Sequence, residues 1–374
     1  MAARQVFHND GGAMKEHLLL VTLGPVQEFI AQARRTRDLW YGSHLLSELG
    51  RAAARALVNE GAQMVFPALD KGDPELEACA APVRRNGQPP LSIPNKLVAI
   101  VPANVDPADL ARKVRSEVRR HWRDGIAAQV KSDCKGLLAA GIDEVWDEQI
   151  DTLVEFLASW AKLDNYAEAR REVERAIAGR KNLRDFDAWR HTRGAVPKSS
   201  LDGARETVLR EHENRDPHLV RKYRIDKGEQ LDAVALVKRA GGEPDQFVPV
   251  VNIAAARWVV LADSAAAPKL RHLRDACREI GISRVMRRDL SWTELFPFDA
   301  SVLFPNRWRS VFQELGIEDD AELWGREHVG PLLKEMHEPY PYVACLVADG
   351  DRMGRALDLL SDETQHRDFS RALS

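Results

Sequence analysis

Two aspartates near the C-terminal end of the sequence, Asp349 and Asp351, have the spacing of a pair of metal ligands. They follow an apolar run at 342–348, which predicts a buried β-strand. Residues two apart on a strand project to the same side, so both carboxylates would face one ion if strand geometry continues through Gly350. Such oxygen ligands suit Mg²⁺ that carries a triphosphate, because the metal offsets the phosphate charge.

The residues around these aspartates fit a phosphate ligand. Gly350 leaves room for a phosphate to approach the backbone, and the helix predicted after it offers free N–H groups to an anion. The alternative is a polar turn with two solvated acids, since Asp-Gly is a very common turn signal.

A second turn with possible phosphate chemistry lies at Gly42 and Ser43, ahead of apolar residues at helical spacing. If a helix begins there, the Ser43 hydroxyl and the exposed amides could hold a phosphate. The same serine is equally a plain helix cap that requires no ligand. The preceding Arg34, Arg35 and Arg37 could contact RNA or phosphate, or could form a solvated helix face.

Several other kinds of site are excluded by the sequence. It contains no P-loop, no Gly-x-Gly-x-x-Gly, no His-Glu-x-x-His and no Gly-x-Ser-x-Gly pattern. The cysteines include no Cys-x-x-Cys, so we predict that all four are reduced and buried. They are Cys79, Cys134, Cys277 and Cys345.

The composition indicates a globular chain without a global electrostatic preference. The 374 residues include 57 acidic and 54 basic side chains, so any RNA contact must be local or made by a partner. Uninterrupted apolar runs, such as 18–23 and 258–262, are far shorter than the roughly 20 residues of a membrane span. Residues 1–16 lack the apolar core of a secretory signal, so we expect a disordered tail, a cytoplasmic location and no membrane partner.

The elements that would position these residues begin with three apolar strand candidates at 18–23, 64–66 and 97–101. A helix is predicted after Asp106-Pro107, and a strongly amphipathic helix over 143–163. The succession strand, helix, strand, strand, helix predicts an α+β, ferredoxin-like domain with a helical insertion over 17–190, its small sheet covered on one face.

The rest of the chain predicts two further units. We predict a mainly helical domain over residues 191–335. Residues 336–374 read as the start of a new sheet domain, which we expect to be incomplete because one strand and two helices cannot bury a sheet face alone.

A series of ordered motifs connects the two ends of the sequence. They are Gly24-Pro25-Val26-Gln27 with Phe29-Ile30, Ala33-Arg34, Arg37-Asp38-Leu39-Trp40, Gly42-Ser43-x-Leu45-Leu46-Ser47, Pro197-Lys198-Ser199-Ser200-Leu201-Asp202-Gly203-x-Arg205-Glu206, Gly228-Glu229-x-Leu231-Asp232-Ala233, Val237-Lys238-Arg239, Asp349-Gly350-Asp351-x-Met353-Gly354, and the segment 366–374. Over essentially 16–374, the sequence resembles the large, palm-containing subunit of type III CRISPR RNA-guided effector complexes, in the type III-B (Cmr) branch.

The resemblance implies two ferredoxin-like palms, related to nucleotidyl cyclases, on either side of a helical domain. In this family, target RNA switches on synthesis of cyclic oligoadenylate from ATP with Mg²⁺ or Mn²⁺. By the motif match, Asp349 would be a catalytic metal ligand and Asp351 its helper, while Gly42, Ser43 and Gly350 would bind nucleotide. The implied partners are other Cmr subunits, with guide and target RNA bound mainly through the complex.

Three departures from the family pattern change these expectations. No His-Asp pair precedes Leu18, so we expect no HD nuclease activity. Ser199, Asp202 and Asp232 stand near the places of zinc-finger cysteines, so we expect a degenerate finger without zinc. The family's Gly-Gly-Asp-Asp hairpin is absent from the 374 residues, so we expect this chain alone to lack cyclase activity.

Two hypotheses of function remain open. The first is part of an RNA-activated oligoadenylate synthase, and the second is a non-catalytic scaffold that organises neighbouring subunits around RNA. A stand-alone signalling cyclase is disfavoured, because it would leave the helical insertion and the Cmr-type motifs unexplained.

Overall fold

A small antiparallel sheet forms the centre of the N-terminal half. The computed structural model describes residues 16–77, 92–183, 190, 193–194, 196–242, 248–285, 290–346 and 351–373. The strands are β1 (His17–Gly24), β2 (Gln63–Phe66), β3 (Lys96–Val101) and β4 (Glu155–Lys162), in the order β2-β3-β1-β4. β1 pairs with β3 on one side and with β4 on the other, and its residues 18–23 are all buried, which confirms the predicted central strand.

Helices cover both faces of this sheet. They are α1 (Gln27–Ala31), α2 (Thr36–Asn59), α3 (Pro107–Arg120), α4 (Ala128–Asp133), α5 (Asp143–Asp151) and α6 (Tyr166–Lys181), with a π-helical turn at His121–Ala127 joining α3 to α4. Alternate residues of β1 face opposite sides. Leu19 packs in a core with Leu45 of α2, whereas Leu18 packs with Val173 of α6. The sheet is therefore covered on two faces, and the prediction of one covered face is wrong.

The helix predicted over 143–163 is also wrong in its second half. α5 ends at Asp151, and Glu155–Lys162 forms β4, which pairs with β1 along its whole length from Gly24↔Glu155 to His17↔Lys162. The apolar positions fit helical spacing, but β1 has an open edge whose amides and carbonyls require a partner. That long-range pairing outweighs the local helical pattern.

Residues 196–242 contribute to the same hydrophobic core as the sheet. Their helices are α7 (Pro217–Tyr223) and α8 (Ala233–Ala240), capped by Asp216 and Asp232. Every residue of α8 is buried, and its apolar residues join the core of α2 and α3. The predicted boundary near 190 stays a prediction.

A separate hydrophobic core, called the second core, belongs to a helical unit that begins at Val250. Its helices are α9 (Val250–Glu279), α10 (Trp292–Leu295), α11 (Trp308–Leu315), α12 (Ala321–His328) and α13 (Gly330–Met336). α9 is kinked at Ala266, two residues before Pro268, which cannot continue the hydrogen-bond ladder. The buried aromatic residues of this core include Trp258, Phe298 and Trp308.

Among the described residues, one helix passes a test of length and apolar composition for a membrane span. This helix is α9, whose most apolar window has a mean hydropathy of 1.4. Our sequence expectation counted only uninterrupted apolar runs and therefore missed it. The observation is weak evidence for a span, because the core helix of a globular domain has the same composition, and one stripe of α9 packs in the second core.

The strand predicted over 342–348 is wrong for the part that the structure describes. Residues 342–346 form no strand and are exposed, with Tyr342 at 80% and Leu346 at 94%. A strand requires a neighbour for its backbone hydrogen bonds, and none of the described strands pairs with this segment. Residues 347–350 lie outside the described residues.

Two helices follow this segment and dock on the sheet domain. α14 (Met353–Asp358) is held by Arg170, which donates to the Leu357 carbonyl at 2.7 Å and to Asp358 at 2.8 Å. α15 (Glu363–Leu373) lies against β2, where Arg367 donates two hydrogen bonds to Asp70, at 2.8 and 2.9 Å. α15 thus packs on the edge strand β2, whereas α14 contacts α6.

His366 anchors α15 beneath the sheet edge. Its ring stacks on Phe66, and its Nδ1 can accept a hydrogen bond from the Tyr166 hydroxyl when the imidazole is neutral. Burial, with the nearby charges of Arg170 and Lys96, lowers the pKa of His366 to about 4, although Glu174 opposes this shift. The neutral ring is therefore the docked form.

We expect docking of α15 to weaken as the pH falls. An undocked His366 regains a pKa of about 6.5, so it binds more protons than the docked ring between about pH 6.5 and 4. The contribution of the neutral His366 ring to docking is fully present above about pH 6.5 and is lost progressively below it. Hydrogen exchange of residues 363–373 at pH 7.5 and 5 measures this loss. His366→Asn keeps an acceptor without titrating, and an equal pH effect in that variant would assign the dependence to another group.

The cysteine prediction is correct at two positions and wrong at one. Cys134 and Cys277 are buried, and burial raises the pKa of both thiols, that of Cys134 to about 12. Cys345 is exposed, because it lies in the segment that forms no strand. Cys79 lies outside the described residues.

Candidate functional site

The start of α2 differs from the prediction at Gly42 and Ser43. The helix begins at Thr36, where Asp38 accepts hydrogen bonds from the backbone amides of Arg34 and Arg35, each at 3.1 Å. This carboxylate satisfies amides that a helix start leaves without partners. Gly42 and Ser43 consequently lie in the interior of α2, and the predicted helix start there is wrong.

Gly42 leaves room for a lysine that crosses α2. A Cβ atom at position 42 would lie 2.9 Å from Cε of Lys238. The Lys238 ammonium donates to the carbonyls of Phe29 and Gln32, each at 2.5 Å, and lies 4.6 Å from the centre of the Phe29 ring. Burial lowers the pKa of Lys238 to about 8. The glycine therefore has a structural explanation, since it lets a buried cation reach carbonyls at the end of α1.

Ser43 is exposed on the neighbouring side of α2. Because it lies within the helix, the backbone amides there are not free to bind a phosphate, and the hydroxyl is the group it can offer. Nucleotide binding by Gly42 and Ser43 stays a prediction.

A buried ionic cluster fixes the beginning of α2. Arg239 donates from Nε and Nη2 to the two oxygens of Asp38, at 2.6 and 2.9 Å, and from Nη1 and Nη2 to Glu229, at 2.9 and 2.8 Å. These side chains are at most 1% exposed. Burial would raise the pKa of Asp38, but the hydrogen bonds and charge of Arg239 hold it below its usual value.

Arg37 extends this cluster on the neighbouring turn. Its guanidinium donates to the Gly241 carbonyl at 3.1 Å and lies 5.5 Å from the centre of the Tyr223 ring. Burial lowers the pKa of Arg37 to about 10, so the side chain is still charged near neutral pH. Three segments of the chain are thereby joined: the start of α2, the end of α7 and α8.

Sequence reasoning did not find this cluster. The available signal was the pair Lys238-Arg239, which follows the apolar run of α8. Charged residues that continue such a run are expected to be buried and therefore paired. The partners of Arg239 could not be assigned, because Asp38 lies 201 residues away in the chain.

The three residues that we predicted to stand near the places of zinc-finger cysteines have protein partners. Asp232 caps α8 by accepting from the amides of Val234 and Ala235, at 2.9 and 3.1 Å. Asp202 pairs with Arg205 at 2.8 Å. The Ser199 hydroxyl accepts from the amide of Asp232 at 3.3 Å.

Burial and the nearby Asp202 charge raise the pKa of Asp232. Within the described residues, no group of three or more His, Cys, Asp or Glu side chains is arranged to hold a metal ion. The expectation of no zinc stays a prediction.

The predicted metal ligands are only partly described. Asp349 and Gly350 lie outside the described residues. Asp351 lies two residues before α14, its side chain is 91% exposed, and it pairs with Nε of Arg352 at 3.7 Å. Metal binding by Asp349 and Asp351 stays a prediction.

Two comparisons of sequence match parts of this chain to CRISPR-associated Cmr2 proteins. Residues 18–127 match the family model described as CRISPR-associated protein Cmr2, N-terminal. The CRISPR system Cmr subunit Cmr2 of Pyrococcus furiosus is 27% identical over 139 residues, which are 37% of this chain and 15% of that protein.

Solved structures extend the likeness of fold. A chain of the type III-B Cmr-beta complex in the apo state matches with a TM-score of 0.56 and 15% identity, over 88% of this chain and 44% of that chain. A chain of the same complex bound to cognate target RNA matches with a TM-score of 0.55 and 15% identity, over 87% and 44%. The chain spans less than half the length of these relatives.

Proposed function

The chain is Cmr2-like, and on that premise we propose that it works as a subunit of a type III-B Cmr effector complex. The observation that carries the proposal is the match of 18–127 to the Cmr2 N-terminal model, within a fold likeness that covers 88% of the chain. Those 110 residues include α2, β2, β3, α3 and all of β1 but its first residue, and they contain Ser43 and Asp38 of the ionic cluster. The partners in this proposal are other Cmr subunits, guide RNA and target RNA.

We further propose that the full-length protein makes cyclic oligoadenylate from ATP when target RNA is bound. The succession of strands and helices and the order β2-β3-β1-β4 fit a ferredoxin-like palm, which supports a nucleotidyl-cyclase-like first half. Each new bond joins a ribose hydroxyl to the α-phosphate of ATP and releases pyrophosphate. Mg²⁺ or Mn²⁺, when bound, would neutralise charge on the phosphates.

The proposed roles of the residues follow from their chemistry. Asp349 and Asp351 would supply carboxylate oxygens to the divalent metal. Gly350 would let a phosphate approach the backbone, and the Ser43 hydroxyl would donate a hydrogen bond to the second nucleotide. Gly42 would act indirectly, because it lets Lys238 set the position of α2.

The test uses the full-length protein assembled with its Cmr partners. ATP and Mg²⁺ are added with cognate RNA, with non-cognate RNA, or without RNA, and the products are identified by mass spectrometry. We expect cyclic oligoadenylate only with cognate RNA. An assembled complex that binds cognate RNA and makes no product would contradict synthesis and establish the scaffold function.

The scaffold is the second candidate, and the structure contains an observation in its favour. Gly42, Asp38 and Arg239 belong to the motifs that carry the resemblance, yet each has a structural role within the fold. These three motif residues are therefore explained without a nucleotide.

A further inference from the structure

A basic cleft separates the sheet unit from the helical unit. One wall is formed by the segment before α2 and by α7. The other wall is formed by the start of α9, by residues that follow the end of α9, and by α11. Its volume of about 520 Å³ lies within the range of ligand sites. Eight basic and two acidic side chains line it, although the whole chain carries a net charge of −3. The positive charge is thus specific to this surface.

The acidic groups of the cleft are already paired. Asp299 accepts a hydrogen bond from Arg224. Burial would raise the pKa of this carboxyl, but the charge of Arg224 holds it below its usual value. Arg35 donates to Asp226 at 2.8 Å and lies 3.9 Å from Glu314. Among the described residues that line the cleft, these pairs leave no acid for the remaining cations.

Four arginines therefore face the cleft without a counter-charge. Within the parts of the chain that the structure describes, Arg34, Arg221, Arg284 and Arg307 are exposed and form no ion pair. The ammonium of Lys222 lies nearby, 5.0 Å from the centre of the Tyr223 ring. Like charges gathered in a concave surface raise its positive potential, so the cleft attracts an anion.

We propose that this cleft binds the phosphodiester backbone of single-stranded RNA. A guanidinium matches a phosphate with two parallel hydrogen bonds, and the four arginines stand on both walls, which suits successive phosphates better than a single anion. Tyr223 is buried, so its ring is not available for a base of the RNA to stack on. Recognition is therefore independent of base sequence. The inference deepens the proposed function, on which the choice of RNA over DNA rests.

The experiment measures binding of a fluorescein-labelled 12-nucleotide oligouridylate to this chain by anisotropy, at 50 to 200 mM KCl. The test variant is Arg34→Gln/Arg284→Gln/Arg307→Gln, which changes three exposed side chains. Each phosphate contact on a single strand contributes about 0.7 to the slope of log K against log salt, so we expect the slope to fall by about 2. The affinity at low salt should fall by at least about tenfold.

A charge-matched variant provides the control. Arg112→Gln/Arg120→Gln/Arg123→Gln removes three exposed arginines from α3 and the π-helical turn, and we expect less than about a twofold change. Equal losses in both variants, or no loss in either, would overturn the proposal. Displacement of the RNA by ATP would assign the cleft to a nucleotide instead. Tighter binding of a 12-nucleotide DNA would overturn the assignment to RNA. Because neither ATP turnover nor Cmr partners are involved, failure here is distinct from failure of the proposed function.

Discussion

Arg239→Met should lower the free energy of unfolding of the sheet unit by about 3–5 kcal/mol, because it leaves Asp38 and Glu229 as buried carboxylates without a counter-charge. Methionine approximates the length of the arginine stem, so the loss of charge dominates over the loss of packing. The start of α2, which Asp38 caps, should loosen first.

Hydrogen exchange of α2 and α8 during urea denaturation measures this loss. The sheet unit and the helical unit have separate hydrophobic cores, so a signal averaged over the whole chain would not report one two-state transition. Arg309→Met is the matched control: Arg309 is 78% exposed and pairs with Glu322 at 3.1 Å, and we expect a change of about 0–1 kcal/mol.

A triple variant separates the charge from the general cost of a core substitution. Asp38→Asn/Glu229→Gln/Arg239→Met removes all three charges, so it should recover part of the stability lost in Arg239→Met. A loss in Arg239→Met no greater than in Arg309→Met would mean that the buried pair contributes little. No recovery in the triple variant would assign the loss to packing.

Local signals in the sequence predicted what local chemistry determines. Asp106-Pro107 predicted the start of α3, where the Asp106 side chain accepts from the amide of Ala108 at 3.0 Å. The apolar run at 18–23 predicted the central strand, because a strand buried on both faces needs no alternation. Both predictions depend on fewer than ten residues.

Pairings between distant segments could not be predicted in the same way. Leu157 and Trp160 continue a helical spacing from α5, and only the open edge of β1 makes them strand residues. Gly42-Ser43 has the form of a helix start, but α2 begins earlier, at Thr36, where Asp38 accepts from the amides. Gly42 instead leaves room for Lys238. These predictions failed where a segment far away in the chain determines the local structure.

Asp349→Ala in the full-length protein should reduce target-dependent synthesis of cyclic oligoadenylate by at least about 100-fold. A metal ion stabilises transition-state charge by several kcal/mol, and each 1.36 kcal/mol corresponds to a tenfold change in rate. Asp351→Ala should have a smaller effect, because we assign Asp351 the helping role. Asp319→Ala, at an exposed acid in the helical unit, should leave the rate unchanged.

The same variants separate metal binding from assembly of the complex. Asp349→Asn keeps an oxygen ligand without its charge, so a higher Mg²⁺ concentration should restore part of its rate, whereas Asp349→Ala should stay inactive. Binding of cognate RNA should be equal in all variants, because the basic cleft lies on other elements of the fold. Unchanged synthesis in Asp349→Ala would remove this residue from the site. Loss of RNA binding together with synthesis would show that Asp349 supports the structure of the complex, and the metal assignment would then fail.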